Sequence, residues 1–188
     1  MPNDIPSAIA TYLRKRAASA PWRINEPPHG PFIGAVVIPS LAESPNLPQT
    51  LHSLSLNPPG LLARFLTLVV VNQRDDASHE EQADNRATLE SLPVWKREYG
   101  LKHLHWVDAA STGNELPPKQ GVGLARKIGL DLALSHLEYT ASDPLLVCLD
   151  ADTLVQPDYL EAIFAHFAVA TAGGASLPYR HRPAADQP

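Results

Sequence analysis

A single cysteine, Cys148, excludes any disulfide within the chain. That usage suits a reducing compartment. No apolar run approaches the roughly 20 residues a membrane span requires. The longest, residues 61–71, is interrupted by Arg64. The N-terminus lacks the apolar centre of a secretory signal. Positive charge is also short: 15 Lys and Arg face 20 Asp and Glu, a net charge of −5. General attraction to nucleic acid is therefore not expected. The one basic cluster, Arg14-Lys15-Arg16, reads as a solvated helix face. These absences together lead to the expectation of a cytoplasmic protein with no membrane span and no nucleic-acid partner.

What is present is an ordinary globular composition. A length of 188 residues with 44% hydrophobic content fits one α/β domain with an extension. The 19 prolines are about twice the usual share of roughly 5%. They gather at Pro27, Pro28 and Pro31, at Pro58 and Pro59, and at Pro117 and Pro118, as punctuation between elements. Residues 1–30 read as a peripheral helical and Pro-rich extension, with Pro6 opening a short helix that runs through Leu13 to Ala18. Residues 31–180 read as the main domain, and residues 181–188 as a tail.

Within the main domain strands and helices alternate. Residues 33–38 are a continuous apolar run, the pattern of a strand buried on both faces; residues 66–71 read as a second buried strand and 145–149 as another. Residues 103–107 supply another strand. Helical spacing marks 46–56 through Leu47, Leu51 and Leu54, and 122–137 through Leu124, Ala125, Ile128, Leu132 and Ala133. Residues 78–92 predict an exposed helix. Pro157 starts a further helix carrying Leu160, Ile163, Phe164 and Phe167, which Gly173-Gly174 closes, and residues 175–179 begin a fifth strand. The alternation predicts a Rossmann-like α/β fold, a mainly parallel sheet with helices on both faces. Ligands of such sheets bind outside the carboxyl ends of the strands.

Three motifs fall at those ends. The first is Asp150-Ala151-Asp152, after a run read as a buried strand. Acids there ask for a cation or a donor, and hard oxygen ligands suit Mg²⁺ or Mn²⁺; the bland alternative is that one of them caps the turn before the next helix. The second is Lys119-Gln120-Gly121-Val122-Gly123-Leu124-Ala125-Arg126-Lys127. Gly121 and Gly123 let backbone amides approach an anion at a helix start, and Lys119, Arg126 and Lys127 add positive charge. It is neither the dinucleotide fingerprint nor a P-loop, and an ordinary Gly-started helix fits as well. In the third, Pro39 through Glu43 to Leu47, Glu43 either accepts from a ribose or favours the following helix N-terminus. His103 and His105 lie on one side of a strand; with no third ligand nearby they read as partly buried histidines rather than a metal pair. Trp95 and Trp106 read as packing residues.

The order of these features resembles family-2 glycosyltransferases of the GT-A fold over roughly residues 32–180. The resemblance implies that Pro39 and Glu43 line a nucleoside site with Arg126 and the Gly121–Gly123 turn near the nucleotide. Asp150 would face the ribose or the metal, and Asp152 would ligate it. It further implies a nucleotide-diphospho-sugar donor, a Mn²⁺ or Mg²⁺ cofactor and sugar transfer to an acceptor hydroxyl, the acceptor being unspecified.

Two departures accompany it. The family ends its second strand in paired acids, whereas here Asn72 occupies that position and Asp75 and Asp76 follow later. An amide both donates and accepts, which leaves the base open. Little chain follows Asp152, so the acceptor-binding half and its catalytic base are expected beyond Pro188, and no catalytic residue is assigned. Two rival readings accompany the first. Leu149-Asp150-Ala151-Asp152-Thr153 also resembles the Asp-x-Asp-x-Thr motif of haloacid-dehalogenase-like phosphatases, its threonine one position early, with Asp150 as nucleophile and Asp152 as acid/base. The other rival is a non-catalytic remnant that binds only nucleotide or protein.

Overall fold

A computed structural model of the chain describes residues 5–18, 20–169 and 172–180. Its centre is a sheet of four strands: β1 (Gly34–Ser40), β2 (Phe65–Asn72), β3 (Leu104–Ala109) and β4 (Leu145–Cys148). They run parallel in the order β3-β2-β1-β4. Around them lie α1 (Ser7–Arg16), α2 (Leu47–Ser55), α3 (Pro59–Leu62), α4 (His79–Glu98), α5 (Val122–Ala133) and α6 (Tyr159–Val169). The expected Rossmann-like α/β class is what forms. The 181–188 tail lies outside the described residues.

The alternation of strand side chains creates two cores. Val36, Ile38, Val69 and Val71 face α2, α4 and α6 through Leu47, Leu51, Leu54, Leu92, Leu160 and Ile163. Ala35, Val37, Leu68 and Val70 face the other way, against Ala125, Ile128 and Ala133 of α5. Every residue of β1 and β2 is buried, as an apolar run covered on both faces requires. Trp95 and Trp106 pack against the first core. Pro39 is tolerated in a central strand because β4 pairs with β1 only as far as Val37, so the missing N–H falls where that ladder has ended.

Several sequence expectations are corrected. β4 is not buried on both faces: it forms one edge of the sheet, and Leu146 and Cys148 on one side are exposed. The described residues 175–179 form no strand. The helix expected over 122–137 stops at Ala133 and tightens into a 3₁₀ turn over Leu134–His136. The helix expected over 78–92 continues through Pro93 to Glu98. An interior proline costs roughly 3 kcal/mol, offset here by packing of Leu92, Trp95 and Tyr99 on the first core. A capping box between Ser78 and Glu81 fixes where it starts.

The N-terminal extension is docked rather than loose. Ile9, Leu13, Trp22 and Ile24 pack on the second core. Asp131, buried on α5, accepts from the Tyr12 hydroxyl at 2.8 Å and the Ala18 amide at 2.7 Å, and pairs with Lys127. Asn25 then covers the edge of β3: its amide donates to the Trp106 carbonyl at 2.8 Å, and its side chain accepts from the Trp106 amide at 2.9 Å. Free strand edges invite mispairing, and this one is closed. No helix among the described residues is long and apolar enough to cross a membrane.

His105, 4% exposed on β3, makes a testable contribution. Burial, with Lys96 and His103 behind it, pushes its imidazole down to about 4. The unfolded chain, with an ordinary value near 6.5, binds that proton more tightly. The contribution is therefore complete above about pH 6.5 and is lost as pH falls towards 4, by about 3 kcal/mol over the window. Urea unfolding at pH 7 and pH 4.5, with an NMR titration of the His105 imidazole, checks it. An ordinary titration near pH 6.5 would refute it.

Candidate functional site

A parallel sheet gathers every strand's carboxyl end on one rim. Here the rim carries Pro39 and Ser40 of β1, Asn72 of β2, and the Asp150-Ala151-Asp152 turn beyond β4. The chain leaves β1 for the α2 side and reaches β4 from α5 on the opposite side. The gap between β1 and β4 is thus the switch point where such sheets open a crevice.

The turn after β4 is fixed from beneath by α2. The Thr50 hydroxyl donates to the Ala151 carbonyl at 2.7 Å, and Ser53 Oγ accepts from the Val155 amide at 3.1 Å. Asn57 Oδ1 accepts from the Leu160 amide at 2.8 Å. Asp150 and Asp152 themselves stay exposed. Asp150 is met by the Arg126 guanidinium of α5. Its side chain being more than half exposed, that ion pair contributes little to stability. Its value is positional, because it joins the start of α5 to the end of β4.

Around this contact the α5 entry is open. No side chain caps its first turn, and a Cβ built on Gly121 or Gly123 would meet nothing within 4 Å. Backbone amides at such a turn, with the helix dipole behind them, suit an anion. Lys127 does not share in this. It turns to the other side, to Asp131 and Tyr12.

The β1 and β2 ends are tied together by Asn85 of α4, which the sequence reading did not single out. Its Oδ1 accepts from the Ala42 amide at 2.9 Å, holding a non-glycine residue at φ 52°. Its Nδ2 donates to the Asn72 carbonyl at 3.3 Å and to Gln73 Oε1 at 3.0 Å. Beside it, Asp84 accepts from the Ser44 amide. A buried asparagine inside a helix, where its propensity is poor, is the one sequence signal that marks it.

The other expected residues separate. Asn72 is buried with Oδ1 unpartnered, as is Ser40 Oγ on the neighbouring strand. Unmade hydrogen bonds at buried atoms cost about 1–3 kcal/mol each; by the alternation of strand side chains Asn72 lies on the α5 side of the sheet with Pro39, and Ser40 on the α2 side. Glu43 instead accepts from the Asn46 side chain at 2.8 Å, and its carbonyl takes the Asn46 and Leu47 amides. Of its two readings, the geometry favours the one at the helix start.

For a metal, two exposed carboxylates match what Mg²⁺ usually takes from protein. Among the described residues no group of three or more His, Cys, Asp and Glu side chains is placed to hold an ion. Any cation between Asp150 and Asp152 would share Asp150 with Arg126. Of two surface depressions, one at the start of β3 lies at the opposite end of the sheet, and one beside α2 and Tyr99 reaches Leu154 behind the acidic turn. The chain matches no protein-family model, no curated protein and no solved structure.

Proposed function

We propose that the carboxyl rim binds a nucleotide-diphospho-sugar through a divalent cation, as the donor site of a glycosyltransferase of the GT-A type. The observation that carries this reading is the Arg126–Asp150 contact, which brings the open start of α5 onto the acidic turn at the β1/β4 switch point. In this reading Asp150 and Asp152 hold Mn²⁺ or Mg²⁺, which when bound neutralises charge on a departing nucleoside diphosphate. The Gly121 and Gly123 backbone takes the phosphates with Arg126. Asn72 faces the nucleoside beside Pro39 on the α5 side of the sheet, where it both donates and accepts. Glu43 holds the turn after β1. Transfer of the sugar to an acceptor hydroxyl needs a base, which we assign to none of the described residues.

Calorimetry with UDP and GDP, with and without Mn²⁺, tests the reading. Binding of one nucleotide that depends on Mn²⁺ is expected. No binding of either would favour a domain that serves only protein contacts. Hydrolysis of a phosphate monoester that Asp150→Ala abolishes would instead support the phosphatase reading of the same acids.

A further inference from the structure

The second chemistry-bearing cluster sits at the other end of β3, independent of the donor reading. His105 and Ala109 are four positions apart along the strand, about 13 Å at a rise of roughly 3.3 Å per residue. There a cleft of about 410 Å³ is lined by Glu26, His29, Lys96, Lys102, His103 and His105. Its shape comes from three places: the end of α4, the entry to β3, and the docked N-terminal extension.

The charges of the lining are unbalanced. Among the described residues neither Lys96 nor Lys102 is in an ion pair, so two ammonium groups face one carboxylate. The imidazoles of His103 and His105 are both pushed down, by burial first and Lys96 next. They are neutral at pH 7, and each then keeps one nitrogen as an acceptor. For His105 that nitrogen is identifiable. The ring is hydrogen-bonded to the Glu26 backbone, while its buried Nδ1 has no partner. A metal is not indicated in this cleft, since among the described residues no group of three or more His, Cys, Asp and Glu side chains is placed to hold one.

Donors with spare positive charge beside neutral acceptors suit a particular ligand chemistry. We propose that this cleft binds a phosphate bearing a hydroxyl hydrogen, either hydrogen phosphate or a sugar phosphate. Its negative oxygens are held by Lys96 and Lys102, and its hydroxyl is received by the half-buried His103 imidazole, with His105 forming the wall beside it.

The test is an NMR titration of the full chain at pH 7 with inorganic phosphate and, separately, sulfate. Phosphate is expected to shift the His103 and His105 imidazole signals saturably, with a dissociation constant of the order of millimolar. Sulfate, a dianion with no hydroxyl hydrogen, should bind at least about 5-fold more weakly, since one hydrogen bond is lost. Replacing the half-buried Lys96 and the exposed Lys102 together by methionine, which keeps each aliphatic stem, should weaken phosphate by about 10-fold or more while the fold is kept. Absence of saturation, or phosphate binding unchanged in that double variant, overturns the site. Shifts confined to the Gly121 and Gly123 amides would place phosphate at the α5 entry and overturn it too. Sulfate binding as tightly as phosphate overturns the role given to the His103 imidazole. A glucose 6-phosphate titration separates the two sources: tighter binding than inorganic phosphate points to the sugar phosphate, and weaker binding to the free anion.

Discussion

Replacing Asp150 and Asp152 together by alanine is expected to lower Mn²⁺-dependent nucleotide binding by about 100-fold or more, equivalent to about 2.7 kcal/mol. The two carboxylates are the only protein ligands the proposal gives the cation, so their loss removes the link between metal and diphosphate. Stability should barely change. Both side chains are exposed, and the turn that carries them is anchored on α2 through the Ala151 carbonyl and the Val155 amide. Arg126→Met separates two roles of the guanidinium. In the free protein it competes with a cation for Asp150; with nucleotide present it faces the phosphates. The variant should therefore bind Mn²⁺ alone more tightly and the nucleotide more weakly. Calorimetry with each ligand, beside thermal unfolding by circular dichroism, reads both. Unchanged nucleotide affinity in the double alanine variant would end the donor-site proposal.

The sequence revealed the parts of this fold whose signal is local. β1 and β2 announced themselves because burial on both faces makes their runs almost wholly apolar, with Thr67 the one interior exception. The same signal misled at β4, since an apolar run does not tell an edge strand from a central one. Its exposed side, Leu146 and Cys148, became visible only with the strand order. Helical spacing in α2 identified Leu47, Leu51 and Leu54, but not the hydroxyls between them. Thr50 and Ser53 act on partners about a hundred positions away, and periodicity reports a face, not a partner. Asn85 was hidden for the same reason, with contacts reaching back to Ala42 and Asn72. At the rim itself, Arg126 and Asp150 were legible as residues and not as a pair. Glu43 was legible as an acid in a turn, but its engagement with Asn46 depends on how that turn closes.

Gly129 should be the least replaceable residue of α5. A Cβ there would lie 2.4 Å from Val37 Cγ1 and 2.9 Å from Val70 Cγ2, well inside contact distance. Both valines belong to strands buried on both faces, so neither can retreat. In an exposed helix, Gly→Ala gains about 1 kcal/mol of helix propensity. At Gly129 that gain is set against overpacking, which typically costs 1–3 kcal/mol and occasionally more. Gly129→Ala is therefore expected to lose up to about 2 kcal/mol net, and Gly129→Leu to prevent folding. Gly123, on the same helix, should behave oppositely. A Cβ there meets nothing, so Gly123→Ala should stabilise the free protein by up to about 1 kcal/mol. Urea unfolding of the two alanine variants reads the difference in sign. The comparison also bears on the rim, because both variants act on one helix. If α5 presents its first-turn backbone to a diphosphate, the added methyl at Gly123 blocks that approach, and nucleotide affinity falls in a protein that has become more stable. A more stable Gly123→Ala variant with undiminished affinity would mean that the phosphates do not lie against that turn.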